Sequence, residues 1–290
     1  MKVGFIGLGN MGLPMAKNLL AAGYDIYGKN RSSKKEETFA KEGGKTGMSI
    51  EQMAQNLDVI LTCLPLPEDV EKVYFSKEGL LENGHEGLIL VDHSTVAPEL
   101  NQKIATAAAK KGIEFLDAPI SGGNFGAEDG TLTIMTGGKK EVFNRVKPLF
   151  DVMGENIYHI GDTGSGSVVK LLNNLMVSFH TQATSEAIAL GKRMGVDTDL
   201  IFEILNASYA QSRIFERHYQ NFIAKEDYTA GFAIKLLHKD MRIAEQMAKN
   251  ANMELPIGSQ LTSRLKEAMD NNLSEQDMSA LYLLMNKNTE

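Results

Sequence analysis

Gly7-Leu8-Gly9-Asn10-Met11-Gly12 is the first stretch whose residue types and spacing can do chemistry. Three glycines in a G-x-G-x-x-G pattern, set between a short apolar strand and a helical pattern, form the context that holds the pyrophosphate of a dinucleotide. Gly7 permits the tight turn, Gly9 lets backbone approach the phosphates, and Gly12 lets the helix pack close to the strand. The helix start then offers unpaired N–H groups and a positive dipole end. A second candidate is Ser121-Gly122-Gly123, where a hydroxyl and bare backbone N–H groups can form a carboxylate-binding nest or equally a plain surface loop. The third is Lys170, the one fully charged side chain between Asp162 and Glu186, with Asn173 and Asn174 one turn further along the same helical face. Taken alone, that lysine reads as a snorkelling residue, its stem on apolar surface and its ammonium in water.

The elements that must position these groups follow from the pattern of apolar residues. Lys2 to Ile6 reads as a strand buried on both faces, and about Asn10 to Ala22 as a helix. The next strand, Asp25 to Lys29, ends at Asn30-Arg31-Ser32-Ser33-Lys34-Lys35. An NAD site usually carries an acid here for the ribose 2′-hydroxyl, and an NADP site an arginine. The acid is missing and Arg31 is present, so the spacing predicts NADP(H) preference with NAD(H) use possible, unless Arg31, Lys34 and Lys35 are only a solvated turn and helix face. Further strands are expected at Asp58 to Leu64, Leu88 to Asp92, Glu114 to Leu116, Thr131 to Thr136 and Ile157 to Ile160, with helices at Ala97 to Lys111 and Glu141 to Phe150. This alternation predicts a doubly wound, Rossmann-type parallel sheet, which binds ligands outside the carboxyl ends of its strands. Leu64, Pro65 and Thr95 stand at such ends and are candidate cofactor contacts.

From Gly164 to Gly195 the apolar positions Val168, Leu171, Leu172, Leu175, Met176, Phe179, Ala183, Ala187, Leu190 and Met194 keep helical spacing. A helix over 165–194 would run about 45 Å, long enough to join two lobes. It is expected to be buried. Beyond it only helical patterns remain, at about Leu200 to Ser208, Arg213 to Phe222, Ile234 to Asn250, Ser259 to Met269 and Glu275 to Met285. The expected organisation is therefore a dinucleotide-binding α/β domain over 1–163 and an all-helical domain over 164–290.

Composition narrows the classes. The chain has 290 residues, 37 acids against 30 bases and a net charge of −7, so no basic field exists to attract nucleic acid or an anionic membrane. A single cysteine, Cys63, excludes an internal disulfide and suits a reducing cytoplasm, and as part of an apolar strand it reads as core. Met1 to Gly12 lacks the charged start and cleavage site of a signal peptide. The long helix is interrupted by Asn173, Asn174, Ser178, His180 and Thr181, unlike a membrane span. The six histidines are scattered and no metal-ligating spacing occurs, so no metal site is expected. The apolar surface of the helical part predicts a homodimer or homotetramer.

Four separated motifs in order give the chain a resemblance to the β-hydroxyacid dehydrogenases, the group that contains 3-hydroxyisobutyrate dehydrogenase and tartronate semialdehyde reductase. They are the glycine stretch with Met15-Ala16-Lys17-Asn18-Leu19, Asp92-His93-Ser94-Thr95 with Pro98, Asp117-Ala118-Pro119-Ile120-Ser121-Gly122-Gly123 with Gly126-Ala127 and Gly130-Thr131-Leu132, and Lys170-Leu171-Leu172-Asn173-Asn174, followed by Phe232 and Lys239-Asp240. The resemblance implies that Ser121, Gly122 and Gly123 hold a substrate carboxylate, that Lys170 is the catalytic acid/base and that Asn174 orients substrate. It also implies that Thr95 lies near the nicotinamide, and that Phe232 and Lys239 close the cleft from the helical lobe. His93 departs from the small or apolar residue common in the family.

The chemistry so implied is hydride transfer between a nicotinamide and a short carboxylate-bearing hydroxyacid or semialdehyde. Lys170 as ammonium would stabilise the charge building on oxygen and deliver the proton; in the oxidising direction it must be neutral, a state that burial favours. Competing readings are a non-catalytic dinucleotide-binding scaffold, which would be expected to lose Lys170, and an imine reductase on the same architecture, which typically replaces it. The related 6-phosphogluconate dehydrogenase is longer and needs a phosphate-binding set absent here.

Overall fold

Strands as apolar as Val59–Thr62 and Ile89–Asp92 are stable only where both faces of a sheet are covered, and the first part of the chain builds such a sheet. The computed structural model describes Met1–Asn286. It divides into two compact units, Met1–Lys170 and Leu171–Glu290. The first unit runs β1 (Lys2–Ile6), α1 (Gly12–Ala21), β2 (Asp25–Lys29), α2 (Ser33–Lys41), α3 (Ile50–Asn56), β3 (Val59–Thr62), α4 (Pro67–Phe75), α5 (Leu80–Asn83), β4 (Ile89–Asp92), α6 (Pro98–Ala109) and β5 (Glu114–Asp117). It continues with β6 (Ile120–Ser121), α7 (Gly123–Asp129), β7 (Leu132–Gly137), α8 (Lys140–Met153), β8 (Gly154–Gly161) and the start of α9 (Ser165–Arg193).

The strand order is β2-β1-β3-β4-β5-β7-β6, with β8 against β7. The first five strands are parallel, as the alternation predicts. The sheet turns mixed at β7, which lies antiparallel to β5 and β6 and parallel to β8. The connection explains the reversal: β6 and β7 are separated only by the short α7, while a parallel return needs a crossover of about a dozen residues or more. Two cores fill the two faces. Phe5, Met15, Leu19 and Phe150 pack on one, and Ile60, Leu90, Tyr74 and Ile104 on the other.

The second unit continues α9 and adds α10 (Thr198–Asn206), α11 (Arg213–His218) with a π-turn segment Tyr219–Ile223, α12 (Ile234–Asn250) and α13 (Pro256–Ala268) with a second π segment Met269–Leu273. A 3₁₀ turn Met278–Ala280 and α14 (Leu281–Asn286) complete the described residues. Leu237 and Met241 of α12 pack with Leu261 and Leu265 of α13 at its centre. No helix among the described residues is long and apolar enough to cross a membrane.

The expectation that α9 is a buried helix needs correction. In its second-unit part the apolar stripe divides: Leu171 is buried and Leu175 and Phe179 pack against the second unit's core, whereas Leu172 and Leu190 are exposed, Met176 is 55% exposed, and Met194 just past the helix 74%. The buried positions are largely polar, namely Asn174, Ser178, Thr181, Gln182, Thr184 and Ser185. Small hydroxyls tolerate this because each can return its proton to the helix itself. Ser178 donates to the Leu175 carbonyl, Thr181 to Val177, Thr184 to His180 and Ser185 to Thr181, at 2.7–2.9 Å.

His93 sits in the first unit's core, 2% exposed, with Nδ1 2.7 Å from the Ala118 carbonyl and its ring edge-on to Phe150 at 5.8 Å. Burial pushes its pKa down to about 4, and the carbonyl opposes this only in part. An unfolded histidine titrates near about 6.5, so between those values the unfolded chain takes a proton that the folded one refuses, and stability falls as pH falls. Urea unfolding at pH 6.5 and 5 is therefore expected to show the wild-type chain losing about 1.5 kcal/mol more than His93→Gln, the slope approaching 1.36 kcal/mol per pH unit only below the unfolded value. Equal losses in the two proteins would place His93 outside this linkage.

Candidate active site

The glycine stretch connects β1 to α1 with tolerances that only glycine meets. A Cβ on Gly7, whose φ is +101°, would stand 2.2 Å from the Cys63 carbonyl oxygen, and one on Gly12 would stand 1.9 Å from that of Gly7. Over Gly9 nothing lies within 4 Å of a Cβ position, so the backbone there is open. This bare, tightly turned cradle at a helix start fits a dinucleotide pyrophosphate. Leu8 is buried, whereas Asn10 is exposed and Met11 half-buried before α1.

Asn30, at the end of β2, is tied to the cradle. Its Oδ1 accepts from Leu8 N at 3.0 Å, while its own N–H donates to Glu36 Oε1 at 2.8 Å. Glu36 also stands 3.2 Å from Lys29 Nζ, so the acid nearest this strand end is engaged by β2 itself. Arg31 projects outward with its side chain 92% exposed, 3.8 Å from Asp69, and Ser32 precedes α2.

At the carboxyl end of β4, Asp92 gathers donors. Its Oδ1 accepts from Thr62 Oγ1 at 2.7 Å, Ser94 Oγ at 2.6 Å and Ser94 N at 3.1 Å. The Ser94 hydroxyl in turn accepts from Leu64 N at 2.9 Å, which holds the Leu64-Pro65 turn. Burial raises the Asp92 carboxyl above its usual range, against the pull of the Ser94 and Thr62 bonds. Thr95 follows directly and is half-buried.

Asp117 repeats the arrangement at the end of β5, in register with Asp92. Its Oδ1 accepts from Gly164 N at 2.7 Å and its Oδ2 from Ser167 N at 3.0 Å, so it caps the start of α9. Burial raises this carboxyl too, and those amides draw it partly back. Asn101 of α6 adds a 2.7 Å bond from Nδ2 to Ser167 Oγ. One turn on, Lys170 is buried at 9% exposure. Four residues beyond Asp117, Ser121 ends β6 and leads into Gly122 and Gly123, with φ of +138° and +64°. Residues Gly123–Asp129 form α7, which is held to α1 by Asn18 Nδ2 donating to the Ala127 carbonyl at 2.9 Å.

In the second unit, Asn174 and Lys239 meet on one carboxylate. Asn174 Nδ2 donates to Asp240 Oδ2 at 2.6 Å, and Lys239 Nζ pairs with Asp240 Oδ1 at 3.0 Å. Asn173 Nδ2 donates to Asn174 Oδ1 at 3.0 Å. Phe232, in the turn before α12, is fixed by its N–H to Asp277 Oδ2 at 2.9 Å, and Asp277 is also bound bidentately by Arg217. Asp92, Asp117, Asp240 and Asp277 carry no role in the sequence reading. The available signal was an acid closing each apolar strand, in Ile89-Leu90-Val91-Asp92 and Glu114-Phe115-Leu116-Asp117.

Comparison with known proteins gives two family matches, the NAD binding domain of 6-phosphogluconate dehydrogenase over residues 2–161 and the NAD-binding domain of NADP-dependent 3-hydroxyisobutyrate dehydrogenase over 164–285. The chain is 38% identical over 280 residues to 2-(hydroxymethyl)glutarate dehydrogenase of Eubacterium barkeri, covering 97% of this chain and 93% of that one. It is 35% identical to an NAD-dependent L-serine dehydrogenase of Pseudomonas aeruginosa, covering 98% and 97%. A crystal structure of a 3-hydroxyisobutyrate dehydrogenase from Salmonella typhimurium matches it with a TM-score of 0.89 at 29% identity, over 98% of this chain and 99% of that one.

Ser94→Ala tests the strand-end network. It removes one donor from Asp92 and the acceptor of the Leu64 amide, and a lost partner of a buried group costs about 1–3 kcal/mol. Denaturant unfolding is expected to show that loss, together with weaker dinucleotide binding; unchanged stability and affinity would dismiss the network as a support of the Leu64-Pro65 turn.

Proposed function

Because the chain belongs to the β-hydroxyacid dehydrogenase family, we propose that it interconverts a short β-hydroxyacid and its semialdehyde with Lys170 as acid/base. NAD(P)-dependent dehydrogenation of hydroxyacids is the family's activity and a nicotinamide dinucleotide its cofactor. The observation that carries the finer reading is Lys170 itself, a lysine with 9% exposure on a helix whose start is anchored to the strand leading into Ser121-Gly122-Gly123. A snorkelling lysine would instead keep its ammonium in water.

When bound, the nicotinamide dinucleotide supplies the hydride. The chain's own groups do the rest. Ser121 Oγ and the backbone N–H groups of Gly122 and Gly123 bind the substrate carboxylate and so fix the carbonyl. In the reducing direction negative charge builds on the carbonyl oxygen, where the Lys170 ammonium stabilises it and gives up a proton from Nζ. In the oxidising direction neutral Nζ takes the hydroxyl proton. Asn174, one turn after Lys170 on the same helix, orients substrate, with its own amide held by Asp240. Phe232 and Lys239 have their cofactor and substrate roles from the family resemblance.

NADP(H) preference rests on Arg31, whose exposed guanidinium can meet a 2′-phosphate while Glu36 is held by Lys29 and the Asn30 amide. A homodimer or homotetramer follows from the outward apolar stripe of α9, Leu172, Met176 and Leu190, a surface a lone soluble chain rarely leaves open.

Purified protein is expected to consume NADPH with at least one of glyoxylate, tartronate semialdehyde, succinic semialdehyde and methylmalonate semialdehyde, and faster than NADH. Lys170→Ala should lose about 10²-fold or more in turnover, the scale of general acid–base catalysis, yet still bind NADPH. Wild-type turnover in that variant would remove Lys170 from its role, and equal or tighter NADH binding would remove the NADP(H) preference. Light scattering should give the mass of two or four chains; a single-chain mass would end the oligomer reading.

A further inference from the structure

Lys170 can act only if it stands at a fixed place relative to the segment that holds the carboxylate, and the start of α9 shows how that place is set. Helix starts are normally capped by the side chain of the residue that precedes them. Here that residue is Gly164, which has none, and the cap comes from β5: the Asp117 carboxylate takes the Gly164 amide at 2.7 Å and the Ser167 amide at 3.0 Å. The fit around it is closed. A Cβ on Gly166 would stand 2.8 Å from Asp117 Oδ2 and 2.2 Å from the Met135 carbonyl oxygen, and one on Gly137 would stand 2.6 Å from Asp117 Oδ1. Asn101 holds Ser167 from the α6 side at 2.7 Å. Asp117 is also the residue from which the chain runs, through Ala118-Pro119-Ile120, into Ser121. That run is pinned by the Ala118 amide on the Asp92 carbonyl at 2.7 Å and the Met135 amide on the Pro119 carbonyl at 3.0 Å. One residue thus anchors both the helix that carries Lys170 and the strand end that presents Ser121-Gly122-Gly123.

From this geometry we infer that Asp117 is a positioning residue, its carboxylate setting the register of Lys170 against the Ser121-Gly122-Gly123 segment. The inference rests on the role proposed for Lys170. Asp117 touches no reacting atom; it acts through the first turn of α9. Helix caps are commonly structural, and what separates this one is that a shift of α9 moves the proton donor while leaving the glycine cradle on β1 and α1 in place. A misplacement of about 1 Å in a reacting geometry costs on the order of 10²-fold in rate.

The test uses two variants. Asp117→Asn keeps the shape but turns an N–H₂ toward one of the two amides, and Gly166→Ala leaves the carboxylate intact while forcing the helix start off the Met135 carbonyl. Both are assayed for kcat, KM, NADPH affinity, thermal midpoint and the isotope effect with NADPH deuterated at the transferred position. In whichever variants fold, kcat is expected to fall about 10- to 100-fold with NADPH affinity near wild type and a larger isotope effect, since misalignment slows the chemical step. Amide exchange at Gly164 and Ser167 should quicken in Asp117→Asn. A lowered thermal midpoint with wild-type kcat and isotope effect overturns the proposal and leaves Asp117 a structural cap. Unaltered amide exchange in Asp117→Asn overturns it as well. Failure of the functional reading looks different: wild-type protein inert toward every aldehyde, or Lys170→Ala fully active, with amide exchange at the α9 start still responding to Asp117→Asn.

Discussion

Asp92 and Asp117 stand in register at the carboxyl ends of neighbouring parallel strands, both nearly inaccessible to water. A buried carboxylate is tolerated only when donors converge on it, and those donors are the segments around which the first unit's chemistry is built. Thr62 and the Ser94 hydroxyl and amide meet Asp92; the amides that open α9 meet Asp117. Burial raises both carboxyls, with Asp117's charge adding to the effect at Asp92. The strand ends are thereby committed to particular neighbours. The loop after β3 is held through Ser94 and Leu64, and the long helix is held through Gly164 and Ser167.

Much of this organisation was legible from residue pattern. β2 has the expected limits Asp25–Lys29, and α12 those of Ile234–Asn250, because in each case a change of hydrophobic period coincides with the end of the element. Other elements were not. Four helices between β2 and β4, over Ser33–Lys41, Ile50–Asn56, Pro67–Phe75 and Leu80–Asn83, are short and bury few side chains each, so their periodicity is weak. The expected helix Arg213 to Phe222 ends its α-helical part at His218 and widens into π turns, a change of hydrogen-bond partner without a signature in hydrophobic spacing.

The divided apolar stripe of α9 exposes the limit of periodicity more sharply. Periodicity finds an apolar stripe and assigns it to the interior, yet here Ser178, Thr181, Thr184 and Ser185 share the interior with Leu171 and Ile188 while Leu172, Met176 and Leu190 are exposed. The compactness of the hydroxyl side chains permits close packing, and their protons return to carbonyls of the same helix, so burial leaves no donor unmatched. Thr181 and the buried His218 lie 3.0 Å apart, and burial with the charge of Arg217 pushes that histidine down to about 3. A neutral imidazole is then a suitable partner for a hydroxyl. Spacing alone does not distinguish this arrangement from a wholly buried apolar stripe; the hydroxyl content of the neighbouring positions does.

The site divides along the same line. Motif reading selects residues that would touch cofactor or substrate, such as Gly7, Ser121, Lys170, Asn174, Phe232 and Lys239. It names Asp92, Asp117 and Asp240 within motifs but gives them no role, because an acid at a strand end or a helix turn does not by its spacing say what it holds. In the second unit Asp240 joins Asn174 to Lys239, and Asp277 fixes the Phe232 amide while binding Arg217. Asp277 is held below the usual carboxylate range: burial pushes it up, but the Arg217 bonds and charge and the Phe232 and Ser279 amides outweigh that. Asp92 and Asp117, whose bonds come from hydroxyls and amides, move the opposite way. A full positive charge offsets the desolvation of a carboxylate where neutral donors only reduce it. The acids at the sheet therefore hold backbone and hydroxyl groups, while Asp277 of the helical unit is bound by a guanidinium.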